Sequence, residues 1–256
     1  MLPDSGTSPE IVKAGIILSM SSREKDPTES ATLPPLRVRW LRTIEYREAW
    51  ELQKSLSIKR LEDEIPDTLL LLEHPPTFTL GRNAKPSDIL VDADTLTREG
   101  IEVVQSDRGG DVTYHGPGQL VGYPIVNLQR PPHSPNLHAY FRLLEETLIG
   151  SLARFEVEAE RFKGYTGVWV GMKTQPFAPE KIAAMGIRVS RWVTQHGFAL
   201  NVCPNMRHFG MIIPCDIRDY GVTSLQNVIA RKVTVEEVLP VVIGEFSRVF
   251  GMEVEA

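Results

Sequence analysis

The sequence has few cysteines, no long apolar run and no excess of basic charge, and each shortage excludes a class of protein. Two cysteines in 256 residues are too few for a disulfide framework or a four-cysteine zinc site. The longest apolar runs, such as 69–72, fall far short of the about 18–20 residues that a membrane-spanning helix needs. Acidic residues outnumber basic ones by 33 to 28, so nucleic-acid binding would require a local basic patch. The remaining class is a globular protein of one or two domains.

The first 35 residues differ from the rest of the chain. They contain fourteen proline, serine or threonine residues, a composition that opposes burial, so we predict a disordered N-terminal extension over 1–35. A secretory signal is not expected because Lys13 interrupts the apolar stretch, and one arginine among five acidic residues is unlike a mitochondrial presequence. We therefore expect a cytoplasmic protein of bacterial type rather than one of an organelle matrix.

Residues 36–256 have the periodicities of a folded domain. Apolar residues at spacings of three and four predict helices over 46–61, 137–152 and 234–250, the last with Thr234 as N-cap. Shorter alternating or continuous apolar segments predict strands over 36–40, 68–72, 78–80, 101–104, 112–114, 120–128, 167–171, 181–189 and 193–202. Strands in runs with helices between them predict one α+β domain, a mixed β-sheet with surrounding helices.

A glycine-rich segment, 108–119, is the most unusual stretch of the sequence. It reads Arg-Gly-Gly-Asp-Val-Thr-Tyr-His-Gly-Pro-Gly-Gln, so four glycines alternate with side chains that can form hydrogen bonds. Glycines allow positive φ angles or a close approach to the backbone. The segment predicts a ligand-lining loop and strand, with a tight hairpin as the alternative. It matches neither the dinucleotide-binding nor the P-loop pattern.

A second segment, 181–189, combines a strand pattern with small residues. Period-two alternation places Lys181, Ala183 and Met185 on one face and Ile182, Ala184 and Gly186 on the other. Alanine and glycine are poor strand formers, so they indicate either space for a slim apolar ligand or close sheet packing.

Two further residue types could carry chemistry. Cys215 follows Pro214 and precedes a polar segment, which suggests a position at a surface or cleft, although a lone cysteine is commonly a buried apolar residue. The histidines show no metal-ligand spacing, so we expect neither a metal nor another cofactor.

Five ordered blocks within 38–250 resemble the octanoyltransferases, also called lipoyl(octanoyl) transferases of the lipoate-protein ligase B type. The blocks are 108–119, Gly-Val-Trp-Val-Gly at 167–171, Lys-Ile-Ala-Ala-Met-Gly-Ile-Arg at 181–188, His-Gly-Phe-Ala-Leu-Asn at 196–201, and Pro-Cys at 214–215. The resemblance implies a fold similar to that of biotin and lipoate protein ligase catalytic domains. It implies transfer of an octanoyl group from acyl carrier protein to a lysine of lipoyl domains, including those of 2-oxoacid dehydrogenases and the glycine cleavage H protein.

The resemblance also implies roles for individual residues. Cys215 would carry the acyl group as a thioester, and Lys181 would activate it. The acyl pocket would be formed by three segments: Arg108, Gly109, Gly110, Asp111, Val112, Thr113, Tyr114 and His115; Ala184, Met185 and Gly186; and Gly197, Phe198 and Ala199. We expect a monomer without cofactor.

The sequence departs from the family pattern at two places. Asp216 follows the cysteine where the family usually has glycine, and a carboxylate there would raise the thiol pKa unless it points away. The segment 172–180 is longer than the usual hairpin of the family. Because acyl carrier proteins and lipoyl domains are typically acidic, we also predict a basic rim around the site, drawn from Arg108, Lys163, Lys173, Arg188, Arg191, Arg207 and Arg218.

Three other functions are compatible with the residues alone. An ATP-dependent lipoate or acyl-protein ligase on the same type of fold would form an acyl-adenylate and would not need Cys215. A non-catalytic module would bind acyl or lipoyl groups without becoming acylated. A cysteine hydrolase would require water to compete successfully with the acceptor amine.

Overall fold

The computed structural model describes residues 33–174, 177–213 and 220–255. The proposed nucleophile Cys215 lies outside the described residues, as do Asp216 and Arg218. The N-terminal extension predicted over 1–35 also lies outside them, except for its last three residues. The first strand already begins at Pro35.

Five α-helices, two short 3₁₀ helices (Pro86–Asp88 and Met206–Met211) and twelve strands make up the described chain. The helices are α1 (Tyr46–Leu61), α2 (Ala93–Glu99), α3 (Leu137–Ala153), α4 (Leu225–Ile229) and α5 (Val235–Phe250). The strands are β1 (Pro35–Thr43), β2 (Asp67–Glu73), β3 (Thr77–Leu80), β4 (Glu102–Gln105), β5 (Val112–His115), β6 (Gln119–Ile125), β7 (Glu160–Phe162), β8 (Tyr165–Val170), β9 (Glu180–Ser190), β10 (Val193–Asn201), β11 (Gly221–Val222) and β12 (Glu253–Val254).

Nine of these strands form one mixed sheet. Its order is β12-β1-β2-β6-β10-β9-β8-β7, with β11 beside one end of β9. The pairs β1–β2, β1–β12 and β9–β11 are parallel, and the other pairs are antiparallel. The mixed sheet with surrounding helices confirms the predicted α+β class.

Helices cover both faces of the large sheet. On one face α1 packs against β6 and β10, with Ala49, Leu70, Val121 and Ala199 in a common buried cluster. On the other face α3 and α5 contact each other and the sheet and contribute to the largest apolar cluster. The sheet is therefore buried on both sides at its centre, where β6, β10 and β9 meet.

A smaller sheet, β4-β3-β5, has its own apolar cluster with Phe78, Tyr114 and Phe209. The glycine-rich segment begins in the connection between β4 and β5 and continues through β5 into the start of β6. The space between the loop 108–111 and the large sheet becomes the site described below.

Every predicted helix and strand corresponds to an element of the structure, with bounds that differ by at most a few residues. Helix α1 has the predicted bounds, and the Thr234 hydroxyl accepts a hydrogen bond from the Glu237 N–H at the start of α5. The elements α2, α4, β7, β11 and β12 were not predicted, and none of them exceeds seven residues. Within the described residues, no helix is both long and apolar enough to cross a membrane.

Candidate active site

A cavity lies between β9, β10 and the loop 108–111, and it encloses about 480 Å³ of empty space including its open mouth. Twelve of the fourteen residues predicted to bind substrate line it: Arg108, Gly110, Asp111, Val112, Thr113, His115, Ala184, Met185, Gly186, Gly197, Phe198 and Ala199. Three residues outside that set, Tyr46, Tyr123 and His196, also line it.

Small residues on two neighbouring strands form the floor of the cavity. Ala184 pairs with Ala199, and Gly186 pairs with Gly197, in the antiparallel register of β9 and β10. A Cβ atom on Gly186 would lie 2.8 Å from the Gly109 carbonyl oxygen and 3.3 Å from Arg108 Cδ. The glycine at this position therefore lets the loop lie directly on the sheet.

Arg108 holds the roof of the cavity together. Its Nη2 donates to the Thr79 carbonyl at 2.6 Å and to the Asp111 carbonyl at 2.7 Å, and its Nη1 donates to the Gly109 carbonyl at 3.0 Å. The side chain is almost completely buried, and charge-assisted hydrogen bonds of this kind are stronger than neutral ones. Arg108 therefore does not belong to an exposed basic rim, and that part of the sequence prediction is wrong.

The loop is also fastened by its backbone. On one side, Gly81 and Asn83 donate backbone hydrogen bonds to the Asp111 and Gly110 carbonyls. On the other side, the Gly109 N–H donates to the Ile187 carbonyl of β9 at 3.0 Å. The loop therefore connects the small sheet to the large one and closes the cavity from above.

Aromatic and imidazole rings close the end of the cavity near α1. The His74 Nδ1–H donates to the Ile44 carbonyl at 2.7 Å, and its Nε2 accepts from the Tyr123 hydroxyl at 2.8 Å. The Tyr46 ring stacks against His115 and His196, with centroid distances of 5.8 and 6.5 Å. We call the set Tyr46, His74, His115, Tyr123 and His196 the ring wall.

Burial keeps the imidazoles of the ring wall neutral. It lowers the pKa of His74 to about 4 and the pKa of His115 well below its usual value. Burial likewise lowers the pKa of His196, although the Asp107 carboxylate opposes that shift. The wall can donate and accept hydrogen bonds, yet it presents no cationic imidazole to the cavity at neutral pH.

His196 reaches the ring wall through an unusual backbone conformation. Its φ is +55°, a left-handed value that non-glycine residues seldom adopt and that costs about 1–3 kcal/mol. Its N–H donates to the Gln53 side chain of α1 at 2.7 Å, and the preceding Gln195 donates to Ser57 of the same helix. The His196 ring packs against Tyr46 and Trp50 of that helix, so the side chains of two consecutive strand residues both face α1, which regular alternation would forbid.

A carboxylate fixes the His196 ring. The His196 Nε2–H donates to Asp107 Oδ1 at 2.8 Å, and Arg188 Nη1 lies 2.8 Å from Asp107 Oδ2. Burial would raise the pKa of Asp107, but His196 and Arg188 together lower it. The other ring nitrogen, His196 Nδ1, is buried without a hydrogen-bond partner among the described residues.

Lys181 is buried and lines a groove that adjoins the cavity. Its Nζ is 4.9 Å from the centre of the Trp169 ring, a cation–π contact. A Cβ on Gly167 would lie 3.5 Å from Lys181 Cδ and Cε. Gly167, with a φ of +113°, therefore leaves the space through which the lysine stem passes towards the level of Ala183 and Ala184.

A register shift explains how Lys181 comes to the same side as Ala184. Val168 pairs with Ala183, but Trp169 pairs with Lys181, so the pairing of β8 with β9 skips one residue. The strict alternation expected from the sequence is therefore wrong at this point. Lys181 and Ala184 line one groove, which adjoins the cavity and shares Gly110 and Asp111 with it.

Two predicted residues stand apart from the cavity lining. Tyr114 lies in the cluster of the small sheet, where its ring contacts Phe209 and His208 edge to face, and burial raises its pKa to about 12. Gly109 contributes its backbone to the roof and lines the adjoining groove. The distance from Lys181 to Cys215 is not described, because Cys215 lies outside the described residues.

The other predicted rim cations vary in their partners. Lys173 pairs with Glu158 and Glu160, Arg207 pairs with Glu99, and Arg188 pairs with Asp107 as described above. No ion pair of Lys163 or Arg191 with a described acidic residue is present within 4 Å. Among the described residues, no group of three or more histidine, cysteine or carboxylate side chains is placed to hold a metal ion.

Sequence reasoning missed Tyr46 and Tyr123 as cavity residues. Both were counted only as apolar members of a helix and a strand, and both are buried. Tyr46 is the first residue of α1, and no sequence pattern indicates that this residue faces the sheet. Their place in the wall follows only from the packing of α1 on β6 and β10.

Comparisons with known proteins agree with this fold. Residues 45–247 match the family described as lipoyl protein ligase A/B catalytic domain. The chain is 46% identical over 213 residues to an octanoyltransferase of Desulforamulus reducens, covering 83% of this chain and 90% of that protein. It is 47% identical over 213 residues to an octanoyltransferase of Gloeobacter violaceus, covering 83% and 89%.

Solved structures show the same fold at low sequence identity. One is a lipoate protein ligase from T. acidophilum with bound lipoic acid, with a TM-score of 0.66 and 17% identity over 86% of this chain and 87% of that one. Another is a lipoate-protein ligase A bound with ATP, with a TM-score of 0.65 and 16% identity over 88% and 90%.

Proposed function

The chain belongs to the lipoyl protein ligase A/B catalytic-domain family, and we propose that it acts within that family as an octanoyltransferase. It takes an octanoyl group from octanoyl-acyl carrier protein and transfers it to a lysine of lipoyl domains. Cys215 carries the group as a thioester, and Lys181 activates that cysteine.

The observation that carries the proposal is a cavity that neutral rings close at one end and that adjoins a groove lined by a buried lysine. The cavity floor consists of Ala184, Gly186, Gly197 and Ala199, whose small side chains leave space for a slim apolar chain. A buried ammonium stands beside this space. An acyl chain in the cavity would therefore present its carbonyl carbon near Lys181.

In the first step the Cys215 thiolate attacks the thioester carbonyl of the donor. The new C–S bond forms as the bond to the carrier thiol breaks, and the leaving thiolate takes a proton. A cysteine of ordinary pKa is only about 3% thiolate at pH 7. A neighbouring ammonium that lowers the thiol pKa by about two units makes about three-quarters of it thiolate, which is the role we assign to Lys181.

In the second step the acceptor amine attacks the Cys215 thioester. An amide bond forms, the cysteine thiolate leaves, and the amine loses a proton. At an ordinary pKa of about 10.4, only about one amine in 2,500 is neutral at pH 7, so a base near the reaction centre accelerates this step. Lys181, neutral after it has protonated the carrier thiolate in the first step, can take up the proton that the amine loses, which restores the Cys215 thiolate and the Lys181 ammonium.

The roles of the remaining cavity residues are part of the proposal. Arg108, Gly109 and Gly110 form the roof, Val112 and Thr113 form a side, and Met185 and Phe198 complete the lining. No cofactor takes part. The acceptors are lipoyl domains of 2-oxoacid dehydrogenases and of the glycine cleavage H protein, and the enzyme acts as a cytoplasmic monomer.

The test is intact-protein mass spectrometry after mixing the full chain with octanoyl-acyl carrier protein in the absence of ATP. We expect a mass gain of one octanoyl group that hydroxylamine removes and that Cys215→Ala abolishes. Cys203→Ala serves as the matched control, since this second thiol is half-buried and burial raises its pKa. Octanoyl transfer that requires ATP and survives Cys215→Ala would instead identify a ligase that forms an acyl-adenylate.

A further inference from the structure

The cavity has a defined length along the strands. Its lining on β10 runs from Ala199, which pairs with Ala184, to His196, which pairs with Ile187. Ile187 lies three residues beyond Ala184, so at the rise of an extended strand the cavity is about 10 Å long.

This length corresponds to one class of acyl chain. Three bonds of an extended backbone span about 3.8 Å, so the seven carbon–carbon bonds of an extended octanoyl group span about 9 Å. On the same scale a decanoyl group spans about 11 Å and a dodecanoyl group about 14 Å. An octanoyl group fits between Ala184 and His196, and the longer chains do not fit without bending.

We propose that the His196 imidazole is the stop that limits acyl chain length, with the terminal methyl group of the octanoyl chain in contact with it. This inference rests on the proposed function and adds the residue that determines substrate length. The stop is a specificity-determining residue, and it lies far from the reacting carbonyl.

Three observations make His196 suited to this task. The left-handed φ of His196 turns the ring out of the regular strand pattern and into the cavity end. The Asp107 carboxylate holds Nε2 at 2.8 Å, and Arg188 holds Asp107 in turn. Tyr46 and Trp50 of α1 pack against the ring, with centroid distances of 6.5 and 6.1 Å. The ring is therefore fixed from several sides.

The chemistry of the wall suits a methyl terminus. A charged stop would lose hydration when an apolar chain displaced water from it. Because burial lowers the pKa of the imidazoles in the wall, the chain end meets neutral rings. Hydrogen bonds to Ile44, Gln119 and Asp107 already engage one nitrogen of each imidazole, which keeps the rings in place.

The experiment compares chain-length profiles of His196→Gly with those of the wild type. Glycine accepts a positive φ without strain, so this variant is expected to fold while it removes the stop. Loading of Cys215 is measured by intact mass with octanoyl, decanoyl and dodecanoyl acyl carrier protein, and kcat/KM is determined for each chain. One extra methylene in a fitted apolar pocket changes specificity by about 10- to 200-fold, so we expect the decanoyl-to-octanoyl ratio to rise at least tenfold.

Two further variants keep the result interpretable. His196→Ala tests the same loss of the ring without a glycine, and it should shift the ratio in the same direction. His138→Gln changes an exposed histidine that belongs neither to the ring wall nor to the cavity lining, so its chain-length profile should match that of the wild type.

The outcomes separate the two proposals. If the wild type loads octanoyl groups but folded His196→Gly and His196→Ala keep the wild-type profile, the length limit lies elsewhere and this inference is overturned. If the wild type gains no acyl mass from any donor, the proposed function fails and the inference fails with it.

Discussion

The site has two ends, the groove beside the cavity that Lys181 lines and the ring wall, and they differ in charge and in the way the backbone forms them. At the Lys181 end, a skipped residue in the pairing of β8 and β9 brings a buried ammonium against Trp169. At the ring-wall end, a left-handed residue in β10 brings neutral imidazoles against α1. Both ends depend on a local departure from regular strand geometry. Irregular backbone of this kind is typical of functional sites, where it redirects a side chain.

In the proposed function, the Lys181 end governs how fast the acyl group is transferred, and the ring-wall end governs which acyl chain is bound. In that function, Lys181 changes the protonation of a thiol or an amine, and the neutral ring wall accepts or rejects a chain by its shape. Substitutions at the Lys181 end should therefore reduce rates for every acyl chain alike. Substitutions at the ring wall should change which chain is used or how stable the fold is.

The largest expected effect comes from removal of the charge at the reactive end. Lys181→Ala should slow octanoyl loading of Cys215 by about 10²- to 10⁴-fold, the range for loss of a positioned proton donor or acceptor, measured by rapid-quench mass spectrometry. Lys181→Arg keeps a cation that cannot exchange a proton near neutral pH. This variant should therefore load Cys215 with octanoyl faster than the alanine variant does, yet still transfer the octanoyl group to the acceptor amine poorly. Unchanged loading in a folded Lys181→Ala protein would remove the activation role.

The second effect tests whether the ring wall is neutral because it is buried. The His74 pKa is about 4 in the folded protein, against 6.5 for the free side chain. Above pH 6.5 both states are neutral and the stabilisation is complete. As the pH falls from 6.5 to 4, the unfolded state takes up a proton that the folded state does not, so the free energy of unfolding should decrease by about 3 kcal/mol for this residue.

Urea denaturation at pH 7 and at about pH 4.5 measures this decrease. Ile44, Tyr123, Tyr46 and the other two imidazoles of the ring wall surround His74. The pKa values of those two imidazoles shift in the same direction, so these residues should increase the pH dependence of the free energy of unfolding. His74→Gln should reduce the pH dependence, whereas the exposed His138→Gln should leave it unchanged. A wild-type stability independent of pH over this range would contradict the burial of neutral imidazoles.

The smallest effect concerns cations outside the cavity. Lys163 borders a surface depression that shares Tyr165 and Thr166 with the groove beside Lys181. If the carrier protein is acidic, Lys163→Ala should slow its association several-fold at low salt and little at high salt, as stopped-flow binding would detect. Lys173→Ala is the matched control, because Glu158 and Glu160 already neutralise that lysine. Equal effects of the two variants would contradict local steering.

Long elements and the floor of the cavity could be predicted from the sequence, whereas the two ends could not. The stripe of α1 and the small residues of β9 are regular patterns, so periodicity alone located them. The side on which Lys181 lies depends on a skipped pairing with β8, and period-two alternation places it opposite Ala184. The φ of His196 and the contact of Tyr46 with the cavity arise from packing against α1, for which the local sequence contains no signal. The neutral state of the imidazoles depends on burial, a tertiary property.

The fastening of the loop 108–111 on both sides has a consequence for the order of events. Arg108 ties the loop to β3 and Gly109 ties it to β9, so the loop covers the cavity, which adjoins the groove that Lys181 lines. In the proposed function, a donor protein and an acceptor protein would both bring their reacting groups to this groove. The donor protein would therefore dissociate before the acceptor protein binds. Steady-state double-reciprocal plots would then form parallel lines.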